Sequence, residues 1–218
     1  TSQGRSARAL IALHYQLRWD RQRAALTAYG SFRRLDLREN FTGFLQDPVN
    51  GDRRAQEQTS WAAGLRAQHE LRVSDRLALV SSVGVRAEHV DQREQRLGRE
   101  LEVVDMRREL QLMQVLSSAT LGLRMDVNAV LRLDVGARVD VVHVDPTDLL
   151  DPGNDRSHTL AAVSPRATLR YQPSAKVGLF GAYGRGLRPP EGRAFTTFEP
   201  GREGLGEELL DATPQITT

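Results

Sequence analysis

The sequence predicts an all-β protein that folds as an antiparallel up-and-down transmembrane β-barrel. Apolar and polar residues alternate over eight runs, most of roughly 12 to 16 residues, whereas strands of soluble proteins usually have about 5 to 6. Short links join the runs in pairs and long polar stretches separate the pairs, as in membrane barrels with short turns and long loops. Trp and Tyr residues stand near the ends of several runs, which is typical of the aromatic girdles at the two membrane surfaces.

The composition excludes several other classes of protein. With 39% hydrophobic and 27% charged residues among 218, no stretch approaches the roughly 18 consecutive apolar residues of a membrane helix. Lys and Arg total 30 against 28 acidic residues, and the cations are spread over all segments, which argues against a nucleic-acid partner. The lack of Cys excludes disulfides and thiolate metal sites. No signal peptide opens the chain at Thr1, so we expect that an exported form begins further upstream.

The first four runs form two predicted hairpins. The apolar side of the first run carries Ala9, Ile11, Leu13, Tyr15, Leu17 and Trp19. The four predicted strands span residues 8–19, 23–37, 59–71 and 76–91. Links 20–22 and 72–75 close the hairpins, and residues 39–55, which are rich in turn formers and lack periodicity, are predicted as a long loop.

The third predicted hairpin has strands over 106–125 and 131–141. Residues 110–116 alone also fit a helix, but the Ser, Thr and Gly that follow favour a strand. Residues 92–104 and 145–158 are predicted as the second and third long loops. The sixth strand is the clearest, and it should place Leu131, Leu133, Val135, Ala137, Val139 and Val141 towards lipid and Arg132, Asp134, Arg138 and Asp140 towards the lumen.

The last hairpin carries the most specific motifs. Its predicted strands cover 163–171 and 177–183 around a turn at Gln172–Ala175. The segments Ser164–Arg166 and Tyr171–Pro173, and above all Tyr183–Glu191, which reads YGRGLRPPE, resemble the late barrel segment of TonB-dependent outer-membrane receptors. The Gly and Pro residues of this motif predict that the chain leaves the sheet near Leu187.

The resemblance implies a fold, a function and partners. Receptors of this family are 22-stranded barrels with a plug in the lumen, so residues 1–218 would supply about eight strands of a larger barrel without the plug. The implied function is active uptake of a scarce nutrient, such as an iron chelate (siderophore) or a vitamin, across the bacterial outer membrane. The implied partners are the TonB energy-transducing complex, reached through the missing plug, the small-molecule ligand and membrane lipid. Such a receptor is not an enzyme and has no cofactor.

Three cations near the end of the last hairpin are candidate ligand-binding residues. Arg185, Arg188 and Arg193 stand within nine residues, where the predicted strand opens to the extracellular side. An anionic iron chelate would pass there, so these residues could attract it. The alternative is that they pair with loop carboxylates such as Glu191 and Glu199.

No pattern of catalytic or metal-binding residues is present in the sequence. There is no Ser in a GxSxG elbow, and no pair of His residues has metal-ligand spacing. We therefore predict no catalytic residues and no metal site, and we interpret the five His residues as wall residues: His14, His69, His89, His143 and His158.

Two other interpretations remain open at this point. A complete eight-stranded barrel of the small structural type would have a lumen filled by side chains. A soluble β-sandwich with a binding role would also alternate apolar and polar residues, because each of its sheets hides one face and exposes the other.

Overall fold

The computed structural model describes residues 2–40, 43–45, 47–155, 157–188 and 215–217, with the backbone alone at 154, 187, 188 and 215–217. Eight strands form one antiparallel sheet in chain order. They are β1 Gln3–Trp19, β2 Gln22–Glu39, β3 Arg53–Ser74, β4 Leu77–Leu97, β5 Val103–Asp126, β6 Leu131–Asp148, β7 His158–Ser174 and β8 Val177–Gly184. β9 (Gly186–Arg188) pairs with β10 (Gln215–Thr217) in a separate sheet. These described ranges contain no helix long and apolar enough to cross a membrane.

The register of the strands aligns the alternating runs into two continuous faces. One row of partners joins Trp19 to Tyr183 through Gln22, Leu71, Leu79, Leu123, Val135 and Ala167. We call the surface with this row the apolar face and the opposite surface the polar face. Trp19 is the last residue of β1, at the short-turn end of the sheet, whereas Tyr183 lies six residues after Val177, the first residue of β8. The row of partners is therefore shifted by six residues over the seven steps from strand to neighbouring strand. With about 3.3 Å per residue and 4.8 Å per step, the strands tilt by about 30°, slightly below the roughly 35–45° of membrane barrels.

The apolar face is the more exposed of the two. Ile11 and Val139 on it are 77% and 43% exposed, whereas Val142 and Asp140 on the polar face are 0% and 4% exposed. A flat single sheet would expose both faces equally, so this sheet curves towards its polar face and crowds the side chains there. As predicted, the apolar residues of the sixth strand lie together on the more exposed face, and its charged residues lie on the opposite face.

Four Trp and Tyr residues near the ends of the runs, Trp19, Trp61, Tyr171 and Tyr183, all lie on the apolar face. Trp19 ends β1 and Tyr171 lies near the end of β7, both beside short turns. Trp61 and Tyr183 belong to the halves of β3 and β8 that adjoin the long loops. All four are exposed, between 40% and 59%.

The second long loop is much shorter than the sequence predicts. β4 continues to Leu97 and β5 begins at Val103, so only residues 98–102 of the expected 92–104 remain outside the strands. Both faces of this segment carry charged residues, and the alternation that marks a half-buried strand is lost although the pairing persists. Arg93 lies opposite Glu109 and forms an ion pair with it, a cross-strand pair of the kind that stabilises sheets.

The other predicted boundaries are closer to the structure. The fifth run is a strand along its whole length, and the first and third long loops span residues 40–52 and 149–157. The third loop contains a short 3₁₀ turn, Pro152–Asn154, and the Asp151 side chain accepts a hydrogen bond from the backbone N–H of Gly153. The chain leaves the eight-stranded sheet after Gly184, whose partner is Arg166, three residues before the expected position.

The sheet is open along both edges in the part of the chain that the structure describes. β1 pairs only with β2, and β8 pairs only with β7. No second sheet covers the apolar face there, as a soluble sandwich would require. The architecture is therefore a segment of an antiparallel barrel wall, with about eight strands of a larger barrel.

Candidate functional site at the loop end

The three candidate arginines lie where β8 ends. Arg185 is exposed between β8 and β9, and its backbone N–H donates to the carbonyl oxygen of Pro165 at 3.2 Å. Its side chain forms no ion pair with any carboxylate of the described residues. Arg188 ends β9, and its backbone partner is Gln215. Arg193 lies outside the described residues, so the convergence of the three cations stays a prediction.

The alternative role of these arginines also falls partly outside the described chain. Glu191 and Glu199 are not among the described residues. Whether they pair with Arg185 or Arg188 is therefore an untested expectation. The exposed position of Arg185 is compatible with either role.

The half of the polar face near the loops carries ion pairs between strands. Glu88 on β4 accepts from Arg33 on β2 at 2.5 Å and from Arg86 at 2.7 Å. Arg138 pairs with Asp140 at 2.7 Å within β6. Glu88 is only 12% exposed and Asp140 only 6%, so these carboxylates are held by neighbouring cations rather than by water.

The half of the polar face near the short turns has a similar network. Arg124 on β5 donates to Asp134 on β6 at 2.9 Å and to Glu70 on β3 at 3.0 Å. One guanidinium therefore links strands on both sides of β4 and β5. Such fixed pairs make a rigid, polar lining, which suits a lumen filled by water or by another protein segment.

The polar face also has an apolar cluster that the sequence analysis missed. Leu112, Val142 and Val144 are at most 5% exposed, and Val90 and Leu116 pack against them. The signal in the sequence is the break of alternation at residues 141–144, where three Val residues surround His143. The cluster adds apolar packing to the loop-side half of the polar face, beside the ion pairs there.

The first two long loops are joined into one unit. The backbone N–H of Arg99 donates to the carbonyl oxygen of Asn50 at 2.9 Å. The guanidinium groups of Arg53 and Arg99 both lie over the ring of Phe44, 5.0 Å and 5.2 Å from its centroid, in cation–π contacts. Gly51 adopts φ +97°, and a Cβ there would stand 2.8 Å from the Arg99 nitrogen, so the close approach of the loops requires glycine.

Asp47 fixes the conformation of the first loop. Its carboxylate accepts from the backbone N–H of Asn50 at 2.9 Å and of Val49 at 3.2 Å, and Arg96 lies 3.5 Å away. These hydrogen bonds, above all that from the Asn50 backbone, and the nearby Arg96 charge lower the pKa of the Asp47 carboxyl. The carboxylate is therefore charged in all but strongly acidic solutions.

The loop pair encloses a small polar cavity of about 180 Å³. Four arginines line it together with two carboxylates: Arg53, Arg54, Arg96, Arg107, Asp47 and Asp52. The cavity thus offers guanidinium groups and carboxylates to a polar ligand. Across the described ranges no group of three His, Cys, Asp or Glu residues could hold a metal ion.

One family model matches most of the second half of the chain. Residues 114–216 match the model described as TonB dependent receptor-like, beta-barrel. The match begins within β5 and runs through β10, and it includes the YGRGLRPPE motif. No curated protein sequence matches the chain.

Solved structures with the same fold cover most of the chain. The ferric citrate transporter FecA in its unliganded form superposes with a TM-score of 0.64 at 13% identity, over 84% of this chain and 27% of its own. BauA, the ferric preacinetobactin receptor from Acinetobacter baumannii, gives a TM-score of 0.61 at 12% identity, over 85% of this chain and 31% of its own. The ferric-catecholate import receptor Fiu from E. coli K12, in its open form, gives 0.58 at 10% identity, over 87% of this chain and 36% of its own.

The chain thus spans between 27% and 36% of the length of these three receptors. At such low identity the structures show a shared fold, and the family match is carried by the sequence of residues 114–216. Residues 114–216, which include the motif, match the TonB-dependent receptor β-barrel family. The eight-stranded sheet as a whole shares its fold with the barrels of the three solved receptors.

Proposed function

We propose that the chain forms part of the barrel wall of a bacterial outer-membrane receptor that imports an iron chelate. The observation that carries this proposal is the family match over residues 114–216. The printed descriptions of the similar structures, a ferric citrate transporter, a ferric preacinetobactin receptor and a ferric-catecholate import receptor, favour a ferric siderophore or a related chelate over a vitamin. All of residues 1–218 are assigned to the barrel, and the plug is not among them.

The proposed reaction is binding and translocation, with no bond made or broken. Membrane lipid contacts the apolar face, and the chelate passes along the polar face. Energy would come from the TonB complex at the inner membrane, through a plug supplied by other residues. The rigid ion pairs of the polar face, such as Arg33 with Glu88, support this use because they hold a lumen wall in place while another segment moves.

The proposed ligand-attracting residues are Arg185, Arg188 and Arg193. Arg185 is exposed where β8 ends, and no described carboxylate neutralises its charge. An anionic chelate would be drawn towards such cations at the mouth of the barrel. This attraction should weaken with salt, because exposed charges are screened over about 10 Å at 0.1 M.

Uptake by cells that express the full-length receptor tests the proposed function. The cells are given radioactive iron as a citrate, a catecholate or a hydroxamate chelate, and labelled cobalamin represents the vitamins. We expect energy-dependent uptake of one iron chelate, lost when the proton gradient is collapsed, with surface binding retained. Uptake of cobalamin alone, or uptake of iron that continues after the proton gradient is collapsed, would contradict the proposal.

Substitution of the three arginines tests the site separately. Arg185, Arg188 and Arg193 are replaced by Gln together, and binding of the imported chelate is measured at low and moderate salt. The control replaces Arg5, Arg8 and Arg38 by Gln, which removes the same charge near the loop end at the other edge of the sheet. A larger loss at low salt in the first variant alone supports the ligand role, and unchanged affinity at both salt concentrations leaves only a structural one.

A further inference from the structure

We propose that a groove on the apolar face binds one straight acyl chain of a membrane lipid. The groove has a volume of about 530 Å³ and crosses β1 to β5. Gly30, Ala63 and Ala87 form its floor. These residues are cross-strand partners in a single row, so the floor is a straight trough across three neighbouring strands.

The depth of the groove comes from the difference in size between its floor and its walls. Phe32 and Trp61 stand two residues beyond Gly30 and Ala63, and their ring centroids are 4.4 Å apart. Their rings form the wall on the loop side. Ile11 bounds the groove in β1, and its side chain is 77% exposed.

The face on which the groove lies determines its occupant. The groove interrupts the apolar face, which the proposed membrane location turns towards lipid. Apart from His89 at its loop-side end, the side chains that this face contributes to the groove are aliphatic or aromatic and hold water poorly. On the loop side the apolar surface ends at His89 and Asp91, 3.3 Å apart, and the Arg93–Glu109 pair follows. The aromatic wall stands on β2 and β3, so a lipid chain in the trough can reach these charges over β4, where His89 lies two residues beyond Ala87.

The shape of the floor selects the kind of chain. Three strands about 4.8 Å apart give the trough a length of roughly 10–15 Å. An extended saturated chain follows such a trough and contacts its whole floor, whereas a cis double bond turns the chain away from it. The groove should therefore prefer saturated over cis-unsaturated chains.

This inference rests on the proposed membrane location and is independent of the receptor's cargo. The test uses the full-length receptor in vesicles that contain a lipid with a nitroxide-labelled saturated chain, which quenches nearby Trp fluorescence. The Trp61 signal is the difference between wild type and Trp61→Phe, and the Trp19 signal is obtained in the same way with Trp19→Phe. Unlabelled saturated or cis-unsaturated lipid is then added to displace the label.

We expect that saturated lipid displaces the label from Trp61 at a concentration at least about fourfold lower than cis-unsaturated lipid does. A fourfold difference in affinity corresponds to the burial of about one additional CH₂ group. At Trp19 the two lipids should be equal. Ala63→Leu and Ala87→Leu fill the floor and should abolish the preference. Ala119→Leu, on the apolar face outside the groove, should preserve it.

Three outcomes would overturn the proposal. The first is equal displacement at Trp61 and Trp19, and the second is a preference that persists in Ala63→Leu and Ala87→Leu. The third is quenching of Trp19 without quenching of Trp61, which would mean that protein covers the groove. If neither Trp is quenched, the membrane location fails as well, and the proposed function fails with it.

Discussion

The Tyr29 ring lies over Gly64, its cross-strand partner on the polar face. A Cβ added to Gly64 would stand 2.5 Å from Cζ and from the hydroxyl oxygen of Tyr29, which is closer than Cβ atoms approach in proteins. An aromatic ring that covers a glycine on the neighbouring strand helps to fix the register of the pair. The pairing of β2 with β3 therefore depends on the absence of a side chain at position 64.

Gly64→Ala should destabilise the folded barrel by about 1–3 kcal/mol, because the ring must leave its position to make room for the methyl group. The measurement is urea unfolding of the full-length receptor in lipid vesicles. Gly178→Ala is the control, since a Cβ at Gly178 would meet no atom within 4 Å. If Tyr29 is the cause, Tyr29→Ala should remove most of the penalty of Gly64→Ala, whereas additive effects would contradict the packing argument.

Leu112→Ala should cost much more stability than Leu121→Ala, although both residues lie on β5. Leu112 is 5% exposed in the polar-face cluster, and Leu121 is 59% exposed on the apolar face. Truncation of a buried Leu costs about 2–5 kcal/mol because it leaves a cavity, whereas lipid can fill the space left at Leu121. Unfolding in vesicles gives both values, and equal costs would show that the cluster is not closely packed.

The sequence predicts the strands well where only one face is apolar and poorly where both faces are alike. The sixth strand could be assigned residue by residue because Leu131–Val141 alternates without interruption. At residues 92–97 both faces are polar, and at 141–144 both are apolar, so the period of two disappears while the strand continues. Pairing across the sheet extends these strands, and it depends on residues distant in sequence.

The candidate site is less predictable than the fold. The motif at Tyr183–Glu191 locates the end of β8 to within three residues, because Gly and Pro act locally. The contacts of Phe44 with Arg53 and Arg99 join two loops that are far apart in the chain. No local pattern marks such a contact, since it depends on the position of both loops above the sheet.

Val135→Arg should destabilise the barrel by about 2–4 kcal/mol if this residue is near the bilayer midplane, because a guanidinium on the lipid face must be desolvated. Thr168→Arg is the matched control, since Thr168 lies on the polar face opposite Asp134, which can pair with the new charge. Unfolding in vesicles measures both variants. A negligible effect of Val135→Arg would mean that water reaches both faces.

Asp47→Asn should loosen the first long loop fully above about pH 4, and its effect should fade as the pH falls below that value. The pKa of Asp47 is lowered in the folded protein, above all by the N–H of Asn50. A carboxyl group whose pKa is lower in the folded than in the unfolded protein stabilises the folded state at pH values above the unfolded pKa. This stabilisation is lost as the pH falls through the pKa of the folded protein. Hydrogen exchange of the Val49 and Asn50 amides, corrected for the intrinsic pH dependence, should differ most between wild type and variant at neutral pH, and the difference should shrink with acid. A difference of constant size from neutral to acid pH would contradict the role of the charge.

Residues 1–218 expressed alone should not form a stable monomeric barrel in detergent. Every residue of β1 is exposed, and so is every residue of β8, and in the described residues each of these strands has a partner on one side only. Unpaired backbone groups at a sheet edge cost several kcal/mol each in an apolar environment. The full-length receptor, in which we propose that further strands cover both edges, serves as the control and should migrate faster on a gel before heating than after. A cooperative thermal melt and heat-modifiable migration of the isolated 218 residues as a monomer would instead mean that β1 and β8 pair with each other and close a small complete barrel.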